Sequence, residues 1–373
     1  MHTSCRVLFC CTGIGIFNRG FESFFREAYD GLRSTPGVQT WLLKGAGASD
    51  CEEFRVPCLP RTSPVAAPLG RAIGRNAYVV EQLSSVPFVL AKIRQLSPQV
   101  VFYSDANLGY QLFRWRRLIG IPFRLLFCNG GPCLPPFHRT DFVHQVAPHY
   151  YDQAMEAGED PSRNFMVPQG VRLCEPPSAD VNARTQLRRR LSLPEDRPVV
   201  LSVGWVSRTH KRMHYVIEEI ARLPKPRPFL QMLGAMDDSS EEVVALANEL
   251  LGPDGFSARS VPYPRVGDYY RAADIFVLAS LQEGFGRVYL EALMHGLPVI
   301  AHRHPVMSYV LGEFGVLGDL TRQGELARIL AEELPKPSDQ RQMTRRYTAV
   351  KDRFSWPVLA PRYLEMFASA AHS

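Results

Sequence analysis

Glu283 and Glu291 stand eight positions apart in the stretch Glu283-Gly284-Phe285-Gly286-Arg287-Val288-Tyr289-Leu290-Glu291. Carboxylates accept hydrogen bonds from hydroxyl groups, and the first amides of a helix attract phosphate. The run Asp274-Ile275-Phe276-Val277-Leu278 ahead of the pair reads as a buried strand, Gly296 ends a helix, and Leu297-Pro298-Val299-Ile300-Ala301 reads as the next strand. Glu283 therefore falls in the loop before the helix and Glu291 in its second turn. Helical side chains lean back toward the helix start, so both carboxylates can converge on one mouth. The amides of Gly286, Arg287 and Val288 would face an anion there. Carboxylates for hydroxyls beside amides for phosphate suit a nucleotide sugar. A helix whose early acids merely complement its dipole is the other reading of the same spacing.

A second group is cationic. The strand ending at Gly204 opens into Trp205-Val206-Ser207-Arg208-Thr209-His210-Lys211-Arg212. Lys and Arg at a strand end neutralise a diphosphate as its charge develops; a solvated basic loop is the alternative. The first glycine loop, Thr12-Gly13-Ile14-Gly15-Ile16-Phe17-Asn18-Arg19-Gly20, brings its third glycine only at Gly20. The dinucleotide fingerprint fails, which disfavours a nicotinamide dehydrogenase. Gly13 and Gly15 are either close-approach positions or turn glycines. Asn129-Gly130-Gly131-Pro132 follows another strand. His138, His144 and His149 read as structural or surface residues. His302-Arg303-His304 lacks further ligands at suitable spacing, so no metal site is expected.

These groups need a frame. A chain of 373 residues exceeds what one core usually serves, and two domains are the natural expectation. Hydrophobic residues make up 46% and charged residues 21%, an ordinary balance for a globular protein. The amino-terminal half alternates strands (6–11, 38–43, 100–103, 123–127) with helices (20–32, 79–96), and residues 57–75 read as a loop or short broken helix. Such alternation predicts a parallel sheet covered by helices. The segment 166–168 reads as a last strand and 175–195 as a linker. The pattern then restarts with strands at 198–203, 229–233 and 259–262 and helices at 213–221 and 243–251. The expected fold is α/β with two Rossmann-like domains, 1–175 and 196–355, facing a deep interdomain cleft, with ligands at the carboxyl ends of the strands.

No apolar run approaches the roughly 20 residues that span a membrane. The eight cysteines form no Cys-x-x-Cys pair and read as reduced cytosolic thiols. The expected setting is cytoplasmic, with the inner membrane surface open as a location. A net charge of +6 fits anionic substrates or an acidic membrane surface, with no nucleic acid expected. Phe113-Arg114-Trp115-Arg116-Arg117-Leu118 has two readings, a membrane-surface helix or an amphipathic helix packed on its sheet, and the second is preferred.

Glu283-Gly284-Phe285-Gly286, Glu291-Ala292-Leu293 and Gly296-Leu297-Pro298-Val299 together resemble the signature of the retaining glycosyltransferases of family 4, which have the GT-B fold. The resemblance implies transfer of a glycosyl group from a nucleotide-diphosphate sugar, with retention, to an unknown glycan, lipid or small-molecule acceptor. It implies no metal and no cofactor, the nucleotide sugar being a co-substrate. It assigns Glu291 to the nucleotide ribose and Glu283 to the donor sugar hydroxyls. The amides of Phe285, Gly286 and Arg287 go to sugar and phosphate, and the loop of Gly13 and Gly15 to the phosphate near the acceptor. The region of Tyr263 is assigned to the base. The family usually has Val-Gly-Arg and then Lys where this chain has Trp205 and Lys211, so Lys211 is the expected phosphate lysine and Arg208 the replacement arginine. Asn129 stands where a donor-contacting histidine is usual, and Gln169-Gly170-Val171 where Asn-Gly-Val is usual. A late helix over 356–373 is expected to cross back to the first domain. These departures leave open a non-catalytic sugar-nucleotide-binding subunit, and the bare acid pair leaves open a glycoside hydrolase.

Overall fold

A computed structural model of the chain describes residues 5–17, 19–131, 133–336 and 339–373; Asn18 of the first glycine loop and Pro132 of the second lie outside these residues. The chain divides into two units, Met1–Arg172 together with Phe354–Ser373, and Leu173–Arg353.

Among the described residues, the first unit holds a seven-stranded sheet: β1 Cys5–Cys11, β2 Val38–Lys44, β3 Glu53–Arg55, β4 Val100–Tyr103, β5 Arg124–Asn129, β6 Phe142–Gln145 and β7 Asn164–Met166. The order is β3-β2-β1-β4-β5-β6-β7, and every pairing is parallel. Helices α1 Gly20–Leu32, α2 Ala66–Ala72, α3 Ala77–Leu96, α4 Ala106–Trp115 and α5 Pro148–Glu156 connect the strands. Side chains alternate across a strand, so an unbroken apolar strand must be buried on both faces. In β1, Phe9 turns to a face where its ring meets Phe102 at 5.4 Å and Phe367 at 5.9 Å. Leu8 and Cys10 turn to the other face, with Val101, Tyr103, Leu125 and Phe127 of the sheet and Val89, Ile93, Leu108 and Leu112 of α3 and α4. The terminal helix Trp356–His372 completes the Phe9 face. Its Trp356 fits over two glycines, since a Cβ on Gly31 would lie 2.6 Å, and one on Gly170 2.7 Å, from the indole. The segment read as a loop or broken helix at 57–75 contains α2.

Among the described residues, the second unit holds a six-stranded sheet: β8 Val199–Val203, β9 Phe229–Leu233, β10 Phe256–Arg259, β11 Ile275–Leu278, β12 Val299–His302 and β13 Gly315–Gly318, in the order β10-β9-β8-β11-β12-β13 and parallel throughout. Its helices are α6 Val181–Leu191, α7 Met213–Ala221, α8 Asp238–Leu251, α9 Tyr263–Ala272, α10 Arg287–Met294, α11 Pro305–Leu311, α12 Glu325–Glu333 and α13 Gln340–Phe354.

Two expectations are corrected here. The expected linker over 175–195 contains α6, and the second unit begins at Leu173 rather than at 196. The Asp180 side chain caps the amides of Asn182 and Ala183, Leu187 and Leu191 are buried, and the Arg188 guanidinium donates to the Ala272 carbonyl at 2.8 Å and to Asp274 at 2.5 Å. A helix anchored by a buried arginine does not show as an apolar stripe. The strand expected at 259–262 is instead Phe256–Arg259, and Tyr263 and Pro264 open α9; proline suits a first helical turn, where its missing N–H costs nothing.

In open parallel sheets the crevice for a ligand forms beyond the carboxyl ends of two neighbouring strands whose connections run to opposite sides. β1 and β4 are such a pair in the first unit, and β8 and β11 in the second.

Candidate active site

In the second unit the loops leaving β8 and β11 bring the two chemical groups together. Gly204 follows β8, and a Cβ there would lie 3.1–3.2 Å from Cγ, Cδ and Cε of Lys211. The bare glycine leaves room for the lysine stem, which carries its ammonium to 2.5 Å from Glu283 Oε1. Gly234 is equally constrained: a Cβ would fall 1.8 Å from the Gly204 carbonyl oxygen. Arg212, at φ +49, closes the basic loop by donating to the Leu320 carbonyl at 2.8 Å and the Ala279 carbonyl at 3.3 Å.

Glu283 is buried, with 9% of its side chain exposed. Burial alone would raise its carboxyl. His210 and the Lys211 ammonium outweigh that and hold it at about 2. His210 Nε2 is 3.6 Å from the same oxygen and largely exposed, so Lys211 is the closer partner. Glu283 is therefore a charged acceptor with no proton to give near neutrality.

The chain then passes through Gly284, buried Phe285 and Gly286 into α10. Gly286 takes φ +83, and a Cβ on it would meet Tyr289 Cδ2 at 2.4 Å. Glycine is required there both for the left-handed backbone and for the ring. The Tyr289 amide closes the first turn on the Gly286 carbonyl. This start of α10, with Arg287 and Val288 as its first residues, lies at the β11 end where Glu283 is held. Glu291, one turn further, accepts hydrogen bonds from Tyr263 at 3.2 Å and Tyr270 at 3.1 Å. Burial and the carboxylate push the Tyr270 hydroxyl well above its ordinary value, so it remains a donor. The Tyr270 ring stacks on His295 at 5.2 Å, and His295 Nδ1 lies 2.7 Å from the Glu291 carbonyl.

Of the residues singled out by sequence, Lys211 and Glu283 meet directly, Glu291 and Tyr263 meet directly, and Phe285, Gly286, Arg287 and Val288 join the two pairs. Arg208 is exposed in the basic loop, and among the described residues it forms no ion pair. Gly13, Gly15 and Asn129 belong to the first unit, and their immediate partners are the chain itself. A Cβ on Gly13 would meet Glu22 Oε1 at 2.4 Å, and one on Gly15, at φ +83, the Ala46 carbonyl at 2.6 Å. The side chain of Asn129 is buried, with its amide spent on the Cys133 carbonyl and Gln145 and its oxygen receiving the Cys133 amide. It ties the end of β5 to Cys133. His302 and His304 accept from the amides of Leu320 and Val306.

Sequence reasoning missed Tyr270 and His210. Tyr270 stands seven residues, two helical turns, after Tyr263, a repeat that places both on one face of α9. His210 had no comparable signal beyond its place in the basic loop.

Residues 183–349 match the model of the family described as glycosyl transferases, group 1. This segment is a group 1 glycosyl transferase domain. It contains the Lys211–Glu283 pair, the start of α10 and Glu291. The chain is 32% identical over 225 residues to a D-inositol 3-phosphate glycosyltransferase of Xylanimonas cellulosilytica, a match covering 57% of this chain and 53% of that protein. The chain thus spans about half the length of the curated relatives it matches. Among solved structures it resembles a sucrose-phosphate synthase from Thermosynechococcus elongatus (TM-score 0.77, 19% identity, 98% of this chain and 100% of that one). It also resembles HepE from Anabaena in complex with UDP and glucose (TM-score 0.75, 16% identity, 98% and 100%). The group 1 domain therefore sits in a chain with the two-sheet α/β fold of GT-B glycosyltransferases. No described helix is long and apolar enough to cross a membrane.

Proposed function

We propose that the chain is a glycosyltransferase that moves a sugar from a nucleotide-diphosphate donor to an acceptor, with retention at the anomeric carbon and without a metal. The observation that carries this reading is the meeting of Lys211, Glu283 and the start of α10 at the carboxyl ends of the adjacent strands β8 and β11. A diphosphate placed there finds an ammonium and helix amides on one side and a charged carboxylate for sugar hydroxyls on the other. Glu291, oriented by two tyrosine hydroxyls, takes the ribose.

In the reaction the bond from the anomeric carbon to the donor phosphate oxygen breaks, and a bond from that carbon to the acceptor oxygen forms on the same face. The departing phosphate oxygen takes the acceptor proton, and Lys211, with Arg208, offsets the charge that develops on the diphosphate. Arg208 is exposed in the basic loop, as a group that engages only with ligand would be. A hydrolase in which Glu283 serves as the general acid fits poorly, since a carboxyl held at about 2 is ionised when a proton is needed. The name of one relative carries an inositol phosphate and a solved neighbour holds UDP and glucose, so UDP-sugars come first in any donor panel.

The test is turnover of UDP-, GDP-, ADP- and TDP-sugars with a mixed acceptor pool, read by mass spectrometry of products. Glu283→Ala and Lys211→Ala are each expected to lower transfer at least 100-fold with the fold intact. Near-normal transfer by either variant refutes the assignment. Nucleotide binding without turnover of any donor supports the non-catalytic subunit instead.

A further inference from the structure

The first unit carries a cavity of about 680 Å³ between the start of α3, α4 and the loop after β5. The rings of Tyr103, Tyr110, Phe127 and Phe137 line it together with the His138 imidazole, with Arg75 and Arg139 at its wall. The size suits a small-molecule ligand. Tyr103 reaches it because α4 has a glycine at 109, where a Cβ would lie 2.0 Å from the ring.

Its charge is one-sided. No carboxylate is found among the described lining residues. The acids nearby in the sequence are engaged elsewhere: Asp105 receives the Tyr78 hydroxyl, Asp141 pairs with Arg116, Glu81 with Arg61, and Glu159 accepts from the Phe137 amide. Among the described residues neither Arg75 nor Arg139 has a carboxylate partner. Arg139 is also held in an unusual way. Its backbone sits at φ +67, a region non-glycine residues avoid, and its guanidinium stacks on the Tyr110 ring at 4.0 Å. Stacking fixes the plane of the guanidinium and leaves its N–H edge for a bidentate acceptor.

We infer that this cavity binds a small molecule bearing a phosphate group, held by Arg75 and Arg139, next to an apolar or ring portion lying on the aromatic wall. Its test does not depend on the glycosyltransferase reading above. A soluble phosphate ester and a lipid phosphate share this chemistry.

The experiment titrates the full chain with phenyl phosphate against benzyl alcohol, and separately with phosphatidylglycerol–phosphatidylcholine vesicles against pure phosphatidylcholine vesicles. Wild type is expected to favour the phosphate-bearing member at least 10-fold in one arm or both. Phenyl phosphate alone identifies a soluble ester, and retention on the anionic vesicles identifies a lipid. Arg139→Ala and Arg75→Ala should each weaken that binding about 10-fold, the loss of one charge-assisted contact, with Arg139→Lys in between. Dichroism spectra matching wild type show that the variants are folded. No preference for phosphate in either arm, or alanine variants that bind like wild type, overturns the inference. UDP titrated into the same samples reports the donor reading separately: failure there, with phosphate binding intact, leaves the phosphate pocket standing.

Discussion

Lys211→Met and Glu283→Gln should each destabilise the protein, and combining the two should restore part of the loss from Lys211→Met. The carboxyl of Glu283 is held at about 2 against an ordinary 4.5 while almost fully buried, so its surroundings favour the charged form by about 3 kcal/mol. With a depressed value, that contribution is complete above pH 4.5 and disappears as the pH falls through about 2. Removing Lys211 strands a buried carboxylate beside the His210 ring, 3.6 Å away and 60% exposed. Breaking a buried pair from one side costs about 3–5 kcal/mol. The Lys211 side chain is itself 19% exposed, so water shares the pair and the cost here is about 2–3 kcal/mol. At about 2–4 °C per kcal/mol for a unit of this size, the melting temperature at pH 7 should fall by about 6 °C. Glu283→Gln puts the neutral isostere of the protonated acid in the site and forfeits up to the same about 3 kcal/mol, less what the Lys211 ammonium regains by swinging into water. In Glu283→Gln/Lys211→Met no charge is stranded, and the double variant should melt above Lys211→Met alone. Calorimetry on the four proteins at pH 7 gives the comparison. A Lys211→Met variant within about 1 °C of wild type, or a double variant that melts below it, refutes the reasoning.

Gly234→Ala should cost about 3 kcal/mol or prevent folding of the second unit, because its Cβ would sit 1.8 Å from the Gly204 carbonyl, backbone against backbone; a wild-type melting curve contradicts this. Asp105, whose carboxyl burial pushes up to about 6, contributes stability that is complete below pH 3.8 and lost as the pH rises through about 6. Asp105→Asn should therefore raise the melting temperature at pH 7.5 and leave it unchanged at pH 3.5, and the opposite pattern contradicts the assignment. Tyr270→Phe removes one of the two hydroxyls on Glu291 and should weaken UDP binding severalfold by calorimetric titration, with Glu291→Ala weakening it further; equal affinity in both variants removes Glu291 from the site.

The legible parts of the sequence were those whose physics is local. Asp274–Leu278, the glycine turn and Gly296 spell a strand, a loop and a helix end without help from distant residues, and β11 and α10 lie there. Val199–Val203 and Phe229–Leu233 were equally plain, because a strand buried on both faces is a run of apolar residues. What escaped depends on tertiary partners. Arg188, Arg189 and Arg190 make α6 look like a polar linker, yet Arg188 is buried against Asp274. Strand β6 carries His144 and Gln145, polar residues whose partners lie on other strands and loops: His144 Nε2 meets the Val167 carbonyl, and the Gln145 side chain bonds those of Asn129 and Asn164. The same dependence explains Asn129. Its type suggested a ligand contact, and its place in a buried amide ladder is visible only once β5, β6 and β7 are side by side. Glu283 and Lys211, 72 positions apart, were singled out separately; that they hold each other depends on β8 and β11 being neighbours.

The junction of β8, β11 and α10 should bind a nucleoside diphosphate. Wild type, Lys211→Ala and Glu291→Ala are to be titrated calorimetrically with UDP, GDP, ADP and TDP. At least one of the four should saturate wild type, with affinities at least 10-fold weaker in both variants. Binding of none, or binding that both variants retain in full, would leave the junction without this role.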